Sequence, residues 1–253
     1  MVNLISKNNF DWQKFFVSKA ILILLFIFIY PYNYKSFGRD NFDNTFILKN
    51  NQIKEKALSE INNLENKVEK LYDSNEYLKS ITLLKEILFL EKKFLGENHL
   101  DVARTLDWLG NSYFALELYS EAKKYFNQSL RIFEKNLAKD TVEYLSILRS
   151  LGVTYHELNL LSEAELIYLD VIQLQEDNSF KNNFDSHNTF YNLGRLYQDK
   201  FQYKKSEEFF IKAKENIEKI FNKEIEDYFI TLDSLGDLYK EQGFFKKAEP
   251  FLK

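Results

Sequence analysis

Apolar side chains recur at intervals of three to five residues from Ile53 onward, the spacing that gathers them on one face of an α-helix. Ile53, Leu58, Ile61, Leu64, Val68, Leu71 and Tyr72 open the series. A clearer pair of helices follows. Over 101–117, Val102, Leu106, Leu109, Gly110 and Tyr113 share a face; over 120–137, Tyr119, Ala122, Phe126, Ser129, Leu130, Phe133 and Leu137 form a second buried stripe. The pattern returns over 143–178, over 185–221 and again from Asp227. Helices joined by such short polar turns pack against each other antiparallel.

These pairs keep a fixed period. Gly110, Gly152, Gly194 and Gly236 stand 42 residues apart, each preceded by leucine. Tyr113, Tyr155, Tyr197 and Tyr239 follow three residues later, and Ala122, Ala164, Ser206 and Ala248 mark the second helix of each pair. One hairpin cannot bury its apolar face alone, so a period near 40 residues signals a stacked array. The pattern predicts an all-α fold, a right-handed α-solenoid of stacked antiparallel helix hairpins over 53–253. Its units are a degenerate one at about 53–98, then 99–140, 141–182, 183–224 and an incomplete 225–253. Val68 takes the glycine position in the degenerate unit, as suits a terminal unit packed on one side. Gly110 and Ala122 are expected to let the two backbones approach closely, with Tyr113 and Tyr119 filling the space beside them. The last unit stops within its second helix, which predicts an exposed stripe of Phe244, Phe245 and Phe251. A truncated reading frame or self-association at this end would account for that stripe.

The N-terminal 38 residues break the period. Residues 20–30 are an uninterrupted apolar run of 11, extended by Phe15, Phe16 and Val17 across Ser18 and Lys19. A helix needs about 20 residues to cross the hydrocarbon core, so the strict run is short for a span and fits the apolar region of a signal peptide. Snorkelling by Lys19 and the interfacial Trp12, Tyr30, Tyr32 and Tyr34 lets residues 15–34 span if uncleaved. Ser36-Phe37-Gly38 offers a small-x-small cleavage site beside Lys35. Residues 1–38 are therefore read as a membrane anchor or signal segment, with a cytosolic amphipathic or buried segment as the third reading. Lysines ahead of the run favour a cytoplasmic N-terminus, with the repeats outside the cytoplasm or exported. Residues 39–52 are polar and aperiodic, and are read as a tether; Asp40 and Asp43 lack the glycine and closing glutamate of a calcium loop.

Composition narrows the chemistry. Seven glycines and two prolines in 253 residues are too few for a turn-rich β fold. Residues 1–38 carry a net +3, so the remainder holds −7 of the overall −4. An acidic body argues against nucleic acid as a partner, because phosphate binding needs clustered cations. Cysteine is absent, which removes disulfides, thiolate metal sites and thiol catalysis. His99, His156 and His187 lie in different units and are expected on the surface or in loops, with no metal site. No phosphate loop, nucleophile elbow or zinc-protease motif is present, so no enzyme and no cofactor is expected. Asn127-Gln128-Ser129 matches a glycosylation sequon, but Ser129 falls on the inward stripe.

Residues 95–137 carry a family resemblance. Leu95, Gly96, His99, Val102, Ala103 and Leu106 match the run that opens the 42-residue tetratricopeptide repeat (TPR) found in kinesin light chain. Leu100 replaces that family's proline, and Lys247-Ala248-Glu249-Pro250-Phe251 resembles the opening of its second helix. The resemblance covers about residues 60–253. It implies a TPR superhelix and a scaffold for protein–protein interaction.

In such an array the first helices of the hairpins line the inner face. Projection from the core stripe then puts Arg104, Asp107, Trp108 and Asn111 there, then Ser146, Arg149, Ser150 and Val153, then Asn188, Tyr191, Asn192 and Arg195. Ile230, Asp233, Ser234 and Asp237 continue the series. Arg104, Arg149 and Arg195 suit carboxylates, Asn111 and Asn192 a peptide backbone, and Trp108 an apolar anchor. The plainer alternative makes these solvated positions, with Trp108 partly packed on the next first helix. The lysines of a carboxylate clamp are missing, since Asp107 and Ile230 occupy two of its basic positions. Two functions follow from the resemblance: a scaffold binding a peptide or protein segment, or the regulatory arm of a larger effector with a catalytic domain such as a caspase-like peptidase.

Overall fold

The computed structural model describes residues 39–177, 186–220 and 226–251, with side chains from Leu48 onward. By compactness the chain divides into two units, Met1–Glu55 and Lys56–Lys253. Among the described residues every regular element is a helix. The helices are α1 (Arg39–Asp73), α2 (Tyr77–Phe94), α3 (Leu100–Ala115), α4 (Tyr119–Lys135) and α5 (Val142–Glu157). They continue as α6 (Leu161–Asp177), α7 (His187–Asp199), α8 (Tyr203–Ile220), α9 (Glu226–Glu241) and the short α10 (Phe245–Ala248). Odd-numbered helices from α1 are the first (A) helices of the hairpins and even-numbered ones the second (B). Hairpins stack in series as the 42-residue period requires. Residues 39–52, read as a tether, are instead the start of α1. No glycine or proline interrupts 39–73, and once a helix is nucleated each further residue adds a hydrogen bond.

Local chemistry starts and stops these helices at the same register. His99 Nδ1 accepts from the Asp101 N–H at 3.2 Å to cap α3, and Thr141 Oγ1 accepts from the Tyr144 N–H at 3.2 Å to cap α5. Asp101 and Glu143 add negative charge to those first turns. Each A helix ends in a left-handed residue, at Asn75, Glu117, Asn159, Phe201 and Gly243, with φ between 55° and 78°. Around each, two bonds close the turn: the Glu117 N–H donates to Phe114 O at 2.8 Å and the Leu118 N–H to Tyr113 O at 2.9 Å. The same pair recurs at 159 and 160, 201 and 202, and 243 and 244. This arrangement satisfies the last carbonyls of the helix and turns the chain sharply into the B helix.

Packing explains the repeat markers, with one correction. Gly110, Gly152 and Gly194 do not chiefly bring backbones together; each makes room for an aromatic ring of its B helix. A Cβ on these glycines would stand 2.5 Å from Phe126, 2.6 Å from Tyr168 and 2.5 Å from Phe210. All three rings are fully buried. The tyrosines bridge neighbouring hairpins. Tyr113 stacks on Tyr125 and Tyr197 on Phe209 within a hairpin, at 5.2 and 5.4 Å between centroids. Back toward the preceding B helix, the Tyr197 hydroxyl donates to Glu165 at 2.6 Å and the Tyr239 hydroxyl to Glu207 at 2.5 Å. Burial, and then the Glu207 carboxylate, push the Tyr239 phenol up to about 12. At the small positions of the B helices, Ser129 Oγ donates to Ala103 O at 2.6 Å and Ser206 Oγ to Gly194 O at 2.8 Å. Ser129 is thus buried, as its stripe predicts.

Two further expectations change. His156 and His187, expected at the surface, are buried and join successive A helices: His156 Nε2 lies 2.6 Å from Asp199 and His187 Nε2 2.7 Å from Asp227. Stacking buries the ring while leaving the carboxylate partner half exposed. At the C-terminal end Phe244 and Phe245 are exposed, but Phe251 packs on Tyr239 at 5.7 Å and joins the Phe210, Leu235 and Leu238 cluster. Among the described residues no helix is long and apolar enough to cross a membrane. The anchor or signal expectation rests on residues 1–38, which lie outside the described residues.

Candidate functional site

Successive A helices α3, α5 and α7 touch one another directly. The A helices therefore lie side by side along the stack. Core-facing positions on these helices are consumed by packing, so the remaining positions are those that can meet a ligand.

The projected residues fall into three groups along these helices. At the N-terminal end Arg104 donates to Asp101 at 2.7 Å and, across to α5, to Glu143 at 3.3 Å. All three side chains are about half exposed, so these pairs add little stability. Trp108 packs edge-on against Tyr72 of α1, the preceding A helix, at 5.2 Å. Its surface remains 37% exposed. Asn111 donates to the Asp107 carboxylate at 3.1 Å. Burial pushes Asp107 up to about 7, against the pull of that bond.

In the middle, the charges of Arg149 on α5 and Arg195 on α7 both act on Tyr168, the ring seated under Gly152. Burial lowers the Arg149 guanidinium below its ordinary value, and the Tyr168 and Asp227 charges oppose that shift. Arg195 is exposed and stands 3.8 Å from Glu157. Burial raises the Tyr168 phenol, and its hydroxyl has no hydrogen-bond partner among the described residues. Toward the C-terminal end Tyr191 packs on Phe210 at 5.6 Å, and its hydroxyl accepts from Ser234 at 3.3 Å. Asn192 is partly buried beside it.

The sequence projection stopped short of α1, and there it missed residues. A cavity of about 240 Å³ opens between α1 and α3, walled by Glu65, Glu69, Arg104, Thr105 and Trp108, with Val68, Leu84 and Ile87 as its apolar lining. Subtracting 42 from Asp107 and Asn111 gives Glu65 and Glu69, so the same register would have found both. The register was in hand there, with Val68 at the glycine position, but the inner-face projection began only at the first clear unit.

With that geometry in view, the comparisons are consistent with one another. The model of the tetratricopeptide repeat family matches residues 61–135, 101–177 and 185–253. Among solved structures, BtubC (BKLC) of P. vanneervenii is 18% identical, with a TM-score of 0.67 over 81% of this chain and 86% of that one. A kinesin-light-chain-type protein of Podosopora anserina with nearly identical TPR-like repeats is 18% identical, with a TM-score of 0.64 over 77% and 92%. The Rap conjugation gene regulator of the plasmid pLS20, solved in complex with the Phr* peptide, is 13% identical. Its TM-score is 0.61 over 73% of this chain and 49% of that one. At these identities the structures speak for the fold. No curated protein matches the sequence.

Proposed function

The chain belongs to the tetratricopeptide repeat family, and from that premise we propose that it is a non-enzymatic scaffold holding an extended peptide or protein segment along its A-helix face. One observation carries the reading. Marker positions shared by the repeats are used up in stacking, whereas Arg149 and Arg195 on adjacent A helices lie off that stripe and both act by their charge on Tyr168. Guanidinium groups suit carboxylates of a ligand, and Asn192 and Tyr191 of α7 offer partners for a peptide backbone. The similar Rap regulator is solved with a peptide, which supports the same use of this architecture here.

Selection of a displayed random-peptide library on the full chain tests the reading. An enriched peptide family is expected, its affinity falling about tenfold or more in Arg195→Glu, by loss of one to two charge-assisted bonds. Arg149→Glu should add to this while circular dichroism shows the helices intact. Enrichment of nothing, or equal binding by both variants, refutes it. We further infer from the apolar run at 20–30 that the array is held at, or exported across, a bacterial cytoplasmic membrane. A C-terminal reporter should then be active only outside the cytoplasm; cytosolic activity overturns that placement.

A further inference from the structure

We infer that the cavity between α1 and α3 receives a cationic side chain, lysine or arginine, of the bound peptide; this rests on the peptide-binding reading above. The cavity's size allows it: about 240 Å³ against a share of about 30 Å³ for one water molecule in the liquid. Its chemistry is divided as such a side chain is divided. Val68, Leu84 and Ile87 offer apolar contact to an alkyl stem, while Glu65 and Glu69 on α1 offer two carboxylates to the charged head. Neither glutamate has a basic partner within ion-pair distance among the described residues. Trp108, edge-on to Tyr72 and still 37% exposed, lines the same space with the aromatic surface that a cation favours most.

A second observation points the same way. One turn beyond Ile87, Glu91 is 1% exposed, and its Oε2 has no hydrogen-bond partner among the described residues. It lies near Thr105, which walls the cavity, and in the field of Glu65 and Asp101. Burial pushes Glu91 up to about 7, and the same cause raises Glu65. Glu91 is buried one turn from the cavity lining, while Glu65 and Glu69 at the wall are exposed, so the negative charge there sits on the two wall carboxylates that a bound cation would meet. The wall's own cation does not fill this role: Arg104 is engaged by Asp101 and by Glu143 of α5. Arg104 and Trp108 also belong to the face that carries Arg149 and Arg195, so one extended peptide can reach both ends.

The test uses the full chain with Trp12→Phe, which leaves Trp108 as the one fluorescent indole. At constant ionic strength it is titrated with n-butylguanidinium, n-butylammonium and, as the neutral control, 1-butanol. Saturable fluorescence changes are expected with both cations and not with butanol. Glu65→Gln with Glu69→Gln should weaken the cations about tenfold, the equivalent of about 1.4 kcal/mol. No saturation, equal response to butanol, or no effect of the double substitution overturns the inference. The peptide selection separates the two readings. Enriched peptides without lysine or arginine overturn this inference and leave the groove standing. Failure to enrich any peptide overturns the groove, and with it the peptide as source of the cation.

Discussion

Gly110→Ala sets two opposed effects against each other, and the structure decides the sign. In an exposed helix interior the change gains about 1 kcal/mol, because alanine loses less backbone freedom on folding. Here the new Cβ would stand 2.5 Å from Phe126 Cε1 and 2.6 Å from Cδ1, where carbon atoms rest at about 3.5–4.0 Å. Phe126 cannot retreat, since it is fully buried among Val102, Leu106, Leu130 and Phe133. Overpacking of this kind costs about 1–3 kcal/mol, and a shortfall of about 1 Å against a fixed ring belongs at the upper end. A net loss of about 2 kcal/mol is expected, or about 4–8 °C in melting temperature for a chain of this size. Urea and thermal melts of the full chain followed by circular dichroism at the helix bands measure it. The decisive arm is the double-mutant cycle with Phe126→Leu. With the ring removed, Gly110→Ala should become neutral or stabilising, a coupling of about 2–3 kcal/mol. A stabilising Gly110→Ala in the native background, or a cost that persists with leucine at 126, refutes the ring-cradle account. Gly152 with Tyr168 and Gly194 with Phe210 repeat the experiment at two more sites; Gly152→Leu should loosen the array outright.

Two other outcomes follow from particular residues. Phe201 is 77% exposed and held at φ 55°, a conformation that costs an L-residue about 1–2 kcal/mol. Phe201→Gly should raise stability by about 1 kcal/mol despite losing the edge contact with Tyr203, and a lower melting temperature would contradict the turn assignment. The second concerns pH. Glu91 titrates near 4.5 when unfolded, but burial holds it at about 7 in the fold, so between those values the native state binds the extra proton. Its contribution is complete below about pH 4.5 and is lost as pH rises through about 7, by about 3 kcal/mol. Asp107, also raised to about 7 by burial, acts in the same sense. Glu91→Gln should flatten that part of the stability profile and exceed the native chain at pH 8; an unchanged slope sinks the assignment.

Some features were hidden from the sequence for identifiable reasons. The left-handed turn position is held by Asn75, Glu117, Asn159, Phe201 and Gly243, so residue identity does not mark it. Docking of the B helix on the A helix imposes the conformation, and the surrounding packing offsets the strain at Glu117 and Phe201. The aromatic partners of the glycines were visible as Phe126, Tyr168 and Phe210 at the same 42-residue spacing. Only the structure shows that they fill the glycine notch. His156 and His187 read as polar, hence exposed, until stacking set a carboxylate of the next hairpin opposite each.

The sequence by itself determined the helices from Ile53 onward, their pairing and the register of the array. Those depend on periodicity along one chain, and a hairpin with one apolar stripe has few ways to bury it. The tertiary structure alone decided which polar residues meet. Arg149 and Arg195 lie 46 positions apart, and Glu65 and Trp108 lie 43 apart. They share a surface only because consecutive A helices are brought side by side, and no local pattern records what faces a residue one repeat away.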